Sequence, residues 1–278
     1  MNHAYHKELQ NLKLFDDDFA RIVFKDKNCI LELAKALDII DEDEDVKHFE
    51  TQYDIKNINK KSVMLDIMII SDKKHIDIEL ENHNSNALEK RIRMYASEID
   101  VEILRSGQSY NMLPHSIIVE ICGFDPFDKG LPVYTVKRKI EELSEDFNDE
   151  SMIMFVNGEY NCNDKIGRLV HDLKCSNPDE MHNEVLKERV RYFKESKGGI
   201  KQMCEIWDNI KADGIRIGEA RGQAIGEARG QERGEARKTL LVLTNLMKKL
   251  DISFEEALEL LNVTKEEYNH CKKVLEEK

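Results

Sequence analysis

The residues best equipped for chemistry lie in Val63-Met-Leu-Asp66-Ile-Met-Ile-Ile70 and His75-Ile-Asp-Ile-Glu79-Leu-Glu81. Each run is apolar and about strand length, and each carries a carboxylate where a half-buried strand would not ordinarily hold one. Ser71-Asp72-Lys73-Lys74 between them is turn chemistry. A hairpin turning symmetrically about Asp72 and Lys73 sets Asp66 opposite Glu79 and Met64 opposite Glu81. Side chains so opposed stand about 4.5–5.5 Å apart, and like charges there repel. Glu79 and Glu81 share a face because strand side chains alternate. Three carboxylates therefore converge, and shared protons or a hard divalent cation must offset their repulsion. A slip of one residue would turn one carboxylate to the other face. The competing reading of this pattern is an antiparallel sheet with one solvated acidic face.

Such a cluster needs elements around it. Asp16-Asp-Asp18 offers an N-cap and an acidic first turn, and Ile30, Leu31, Leu33, Ala34 and Leu37 line a helical face, so residues 12–40 read as a helix pair. Glu32 among them reads as a snorkelling surface carboxylate. Residues 41–47 form an acidic loop. After the hairpin and a short Asn/Ser turn, a helix is expected from about Ala87 to Leu104, with Ile92, Tyr95, Ala96, Ile99 and Ile103 inward. Arg91 and Tyr95 stand one turn apart and can both face the hairpin. Ser116–Ile121, an unbroken apolar run between Pro114 and Gly123, fits the buried centre of a sheet. Val133–Arg138 and Met152–Val156 are further strand candidates, and residues 163–210 read as mostly helical with Trp207 in the core. The order predicts an α/β fold, a mixed central sheet flanked by helices, followed by a C-terminal all-helical appendage.

The chain of 278 residues suits one domain of about 200 residues with an appendage. A formal charge of -13 argues against general nucleic-acid affinity, since phosphate contacts need Lys and Arg. Lys90-Arg91-Ile-Arg93 is the best local basic patch, against the reading of ordinary surface charge on an exposed helix. No run approaches the roughly 18 apolar residues of a membrane helix. Met-Asn-His-Ala-Tyr-His-Lys has no apolar signal core, so a cytoplasmic location is expected. The six cysteines (29, 122, 162, 175, 204 and 271) lack paired spacing and read as reduced thiols. His171, in Leu-Val-His-Asp-Leu, reads as a packed helix residue.

Gly214, Gly218, Gly222, Gly226, Gly230 and Gly234 recur at every fourth position, within an eight-residue repeat starting at Ile217 and again at Ile225. Each glycine costs a helix about 1 kcal/mol relative to alanine. The row is therefore either a helix packed closely on a partner, as in small-xxx-small contacts, or a flexible linker. A homodimer through this helix or the C-terminal module is the partner arrangement such elements support. Residues 238–278 read as three short helices, with Ser253/Glu256 and Thr264/Glu267 as capping boxes. A small packing or dimer module is favoured over a DNA-reading helix-turn-helix.

Taken in order, several motifs resemble the PD-(D/E)XK nuclease family transposases, a recombination-promoting nuclease branch of bacteria associated with mobile elements. They are Asp18-Phe19-Ala20 with Phe24, Leu65-Asp66-Ile67, Ile78-Glu79-Leu80-Glu81, Arg91 with Tyr95, and Gly107-Gln-Ser-Tyr110 leading to Ser116-Ile-Ile-Val-Glu120-Ile. Phe155-Val156-Asn157, Asn177-Pro-Asp-Glu180-Met181 and Arg189-Val-Arg-Tyr-Phe-Lys194 extend the likeness over roughly residues 12–210. The resemblance implies a restriction-endonuclease-like domain over 1–210; beyond it the sequence pattern sets the glycine-repeat helix or linker over 211–237 and a helical module over 238–278. It implies a Mg2+- or Mn2+-dependent endonuclease acting on DNA. Asp66, Glu79 and the Leu80 carbonyl would hold the metal, Asp66, Glu79 and Glu81 would be catalytic, and Arg91, Arg93 and Tyr95 would contact phosphate. At position 81 the family has Gln, and the wider superfamily Lys, so this chain departs there. A Glu can bind metal or accept a proton, but it cannot stabilise a pentavalent phosphate. A catalytically inactive fold serving as a DNA-binding or protein-interaction module is the alternative, and a toxin-like or defence component docking a protein partner is a third.

Overall fold

Three helices precede the first strand in the computed structural model, which describes residues 3–41, 44–55, 63–84 and 87–276. They are α1 (His3–Asn11), α2 (Asp17–Val23) and α3 (Lys27–Ala36). The expected helix pair is the second and third of these. Phe19, Val23, Phe24, Ile30 and Leu33 are buried, and Asp26 caps α3 by accepting from the Asn28 amide at 3.0 Å. Glu42 and Asp43 of the acidic loop, and Ser85 and Asn86 of the turn after the hairpin, lie outside the described residues.

The strands β1 (Val46–Ile55), β2 (Val63–Ser71) and β3 (Lys74–Glu81) follow, then α4 (Leu88–Ile103), β4 (His115–Cys122) and β5 (Val133–Val136). Two short strands, β6 (Lys139–Ile140) and β7 (Glu145–Asp146), pair with each other, and β8 (Ser151–Val156) returns to the main sheet. That sheet has six strands in the order β1-β2-β3-β4-β8-β5. The β1/β2, β2/β3 and β5/β8 pairs are antiparallel, while β3/β4 and β4/β8 are parallel. Returning parallel from β3 to β4 requires a crossover, which α4 supplies.

Ser71 fixes the β2–β3 turn. Its hydroxyl oxygen accepts from the Lys74 amide at 2.9 Å and the Lys73 amide at 3.2 Å, and its hydroxyl proton goes to Glu44. The turn thereby sets the register on which the cluster depends. One face of the sheet packs under α4, where Leu88, Ile92 and Ile99 meet Met68, Ile118, Cys122 and Phe155.

The chain then runs through α5 (Lys165–Lys174), α6 (Glu184–Glu195), α7 (Lys197–Leu250), α8 (Phe254–Leu261) and α9 (Lys265–Glu276). Lys194 is fully buried, and its ammonium donates to the carbonyls of Gln10, Leu12 and Ser176. It also sits 5.5 Å from the Phe19 ring, and burial holds its pKa down at about 8. Residues Met1–Met203 form one compact unit and Cys204–Lys278 a second. Trp207, expected in the core, is half-buried, because it falls beyond the last core residue of the first unit, Met203. The glycine row lies within the continuous helix α7, and a Cβ added at any of its six glycines would meet no atom within 4 Å. In the second unit Leu243, Ala257 and Leu258 form a small core with Phe254 and Tyr268, and the Ser253/Glu256 capping box is fully formed. All six cysteines are free. Among the described residues, no helix is long and apolar enough to cross a membrane.

Candidate active site

The β2–β3 register pairs Ile67 with Ile78, Met68 with Asp77, Ile69 with Ile76 and Ile70 with His75. Continued by one residue, it sets Asp66 against Glu79, as expected from the turn. The two acids are held by each other's strand. The Asp66 amide donates to Glu79 Oε1 at 2.9 Å, and the Leu80 amide donates to Asp66 Oδ2 at 3.2 Å. Gln52 of β1 donates to Asp66 Oδ1 at 3.3 Å. Gln52 has φ +60, a left-handed conformation that costs a non-glycine residue roughly 1–2 kcal/mol. Strain of this kind gathers where a side chain must be aimed.

Parallel pairing adds a fourth strand's carboxylate, because Glu120 of β4 lies beside Glu79. Asp77, two residues before Glu79, shares its face. Asp66, Asp77, Glu79, Glu81 and Glu120 thus meet under α4. Asp77 is 1% exposed and Glu120 0%. Burial, with Asp66 next, pushes Glu79 up to about 8. Burial raises Glu120 to about 7 even though Arg91 opposes the shift. Asp77 is raised well above the carboxylate range by burial and then by Glu79, Glu120 and Asp66, and Asp66 is raised chiefly by burial. Arg91 bridges two of them: its Nη1 lies 2.6 Å from Glu81 Oε2, and Nη2 lies 2.7 Å from Glu120 Oε1; the charge of Arg21 acts on Asp66. Tyr95, one turn along α4, is held up at about 12 by burial and then by Glu79.

Both oxygens of Asp77 and Glu120 Oε2 are buried with no hydrogen-bond partner among the described residues. Leaving such atoms unpaired costs more than any neutral polar group would. A shared proton, an ordered water or a cation can supply the missing partner. The donors are carboxylate oxygens throughout, the set preferred by Mg2+ and Mn2+ rather than by softer metals. Beside Asp66 a cleft of about 10 Å³, lined by Asp17, Arg21, Thr51 and Leu80, has room for one water-sized sphere. The residues present fit a small hard divalent ion.

Of the positions singled out from sequence, Asp66, Glu79, Glu81, Arg91 and Tyr95 come together here. Leu80 reaches Asp66 through its amide. Arg93 is exposed, about 200° around α4 from Arg91. Four contributors were missed: Glu120, Asp77, Gln52 and Asp17, whose charge acts on Asp66 from α2. Glu120 had a signal, as the one acid inside the apolar run of β4. Asp77 had the period-2 spacing from Glu79. Nothing in the local sequence marked Gln52 or Asp17. Glu32 is bonded to Asn183 and Lys35.

Residues 19–165 match the family model described as PD-(D/E)XK nuclease family transposase, a span covering just over half of the 278 residues. It contains all five carboxylates, Arg91 and Tyr95. No curated protein and no solved structure matches the chain.

Proposed function

The chain belongs to the PD-(D/E)XK nuclease family transposases, and on that premise we propose that it is a divalent-metal-dependent endonuclease hydrolysing DNA phosphodiesters. The observation that carries this reading is the group of five carboxylates, three of them buried, of which Arg91 bridges two, with three carboxylate oxygens lacking a hydrogen-bond partner among the described residues. Nucleases of this family generally use divalent metals. Asp66 and Glu79, with the Leu80 carbonyl, would hold Mg2+ or Mn2+, and Asp77 and Glu120 would hold charge behind them. When bound, the ion lowers the pKa of a water and screens phosphate oxygens.

The chain's own residues do the rest. The Leu80 amide and Gln52 fix the Asp66 carboxylate, and the Asp66 amide fixes Glu79. Glu81 is paired with Arg91, so its charge is offset at the position where the superfamily carries a lysine. Arg91 therefore brings to the site the cation that position 81 lacks. Arg91 and Tyr95 would meet phosphate on the α4 side, and the exposed Arg93 would engage DNA farther out. The protein would act in the cytoplasm, and a homodimer through α7 or the C-terminal helices is part of the same proposal.

One observation favours a second reading, in which the fold binds DNA or protein without cutting: Glu81 itself, which cannot do what lysine does. Nicking of supercoiled plasmid with Mg2+ or Mn2+ separates the two. Wild type should cut, and Asp66→Ala and Glu79→Ala should not. If all three are equally silent across metals and DNA forms, the binding-module reading stands instead.

A further inference from the structure

We propose that His171, Asp172 and His182 form a second metal site, for a transition ion of the zinc class, sharing no residue with the carboxylate cluster. His171 and Asp172 lie in the last turn of α5, and the segment leading to α6 folds back over them. Asp172, 1% exposed, accepts the His182 amide on Oδ1 at 2.8 Å and the Asn183 amide on Oδ2 at 2.7 Å. Those two bonds place the His182 ring beside that of His171, with centroids 4.8 Å apart and planes tilted by 58°. His171 Nδ1 lies 3.2 Å from Asp172 Oδ1.

One donor atom from each of the three residues lies within 4.8 Å of the other two. A tetrahedral zinc ion with bonds of about 2.0–2.1 Å separates its donors by roughly 3.3 Å. The His171–Asp172 contact already has that spacing. His182 is exposed, so rotation of its ring can close the remaining gap. Two imidazoles and one carboxylate suit zinc or cobalt, whereas the all-carboxylate cluster suits magnesium. The buried Asp172, oriented by two amides, gives the fixed member that a metal site needs. His182 also lies at the rim of two cavities of about 700 and 840 Å³, both lined by Arg168. A fourth coordination position would face that space, open to water or to an anion drawn by Arg168. The ion would tie the end of α5 to the start of α6.

The test is cobalt titration of the untagged, chelator-treated full chain, read by the visible absorption of four-coordinate Co2+, with zinc displacement. Wild type and Asp66→Ala should both show the four-coordinate band, and wild type alone should take up a further ion at the carboxylates without adding to it. His171→Ala and His182→Ala should each weaken binding at least about tenfold, and the double variant should lose the band. Both rings are on the surface, so circular dichroism should show these variants folded. As a second readout, in the Asp66→Ala background zinc should raise the melting temperature, and adding His171→Ala with His182→Ala should abolish that rise. A band that survives in the double variant, one that disappears in Asp66→Ala alone, or no uptake by wild type overturns the proposal.

Discussion

Glu79→Gln should make the metal-free protein more stable at neutral and alkaline pH while removing its response to magnesium. In the folded chain burial and Asp66 hold Glu79 near 8, against an ordinary value of 4.5. Between those two pH values the folded state keeps a proton that the unfolded state has released. The stability contributed by this group is therefore intact below 4.5 and falls by up to about 1.4 kcal/mol per pH unit until 8. At pH 7 the accumulated loss is about 3 kcal/mol. Glutamine carries no charge to bury, and its Oε1 can still accept the Asp66 amide. For a unit of about 200 residues, 3 kcal/mol corresponds to an upper bound of roughly 6–12 °C in melting temperature. The assay is thermal unfolding of both proteins in chelator at acid, neutral and alkaline pH, then with Mg2+. The difference between wild type and variant isolates Glu79 from every other titrating group. Magnesium should stabilise wild type by favouring the ionised carboxylates, and the variant should gain little. A difference that does not grow with pH refutes the burial argument. A variant that keeps the full magnesium shift removes Glu79 from the metal site.

Two further perturbations probe other parts of the structure. Arg91→Ala strands Glu81 and the fully buried Glu120, and should cost roughly 3 kcal/mol in urea unfolding, the low end for a broken buried pair because the guanidinium is 29% exposed. Adding Glu120→Gln should recover most of that loss; a double variant no more stable than the single one would mean Arg91 does not serve Glu120. Gly222→Ala and Gly226→Ala should each stabilise α7 by about 0.5–1 kcal/mol, seen as higher helicity by circular dichroism, because the added Cβ meets nothing. If the alanines instead dissociate a dimer in sedimentation, the glycine row is a contact surface between copies.

The carboxylate hairpin was legible because its register follows from the turn, and Ser71 makes that turn as tight as its sequence suggests. The central strand β4 was legible as an unbroken apolar run, and the same run hid Glu120, since one acid among seven core positions looks like an exception to be placed elsewhere. β1 went unread because Val46–Ile55 is a polar edge strand, buried only at its two ends, with almost no alternation to detect. Gln52 and Asp17 reach Asp66 only through tertiary packing, which spacing along the chain cannot express. His171 and His182 illustrate the same limit, being joined through Asp172 across a turn. For the glycine row, sequence left helix and linker open, since helix propensity argues against the continuous helix that the structure shows.

Lys194 also has a consequence for how the protein is made. Its ammonium closes onto Gln10 and Leu12, 184 and 182 residues earlier in the chain. On the ribosome the amino-terminal segment therefore emerges long before the residue that anchors it. Until α6 has cleared the exit tunnel, the α1–α2 junction and the ring of Phe19 have no lid, and the apolar surface beneath them stays open to chaperones or to other nascent chains. A chain ending before position 194 would lack the ammonium that joins the Gln10 and Leu12 carbonyls to α6.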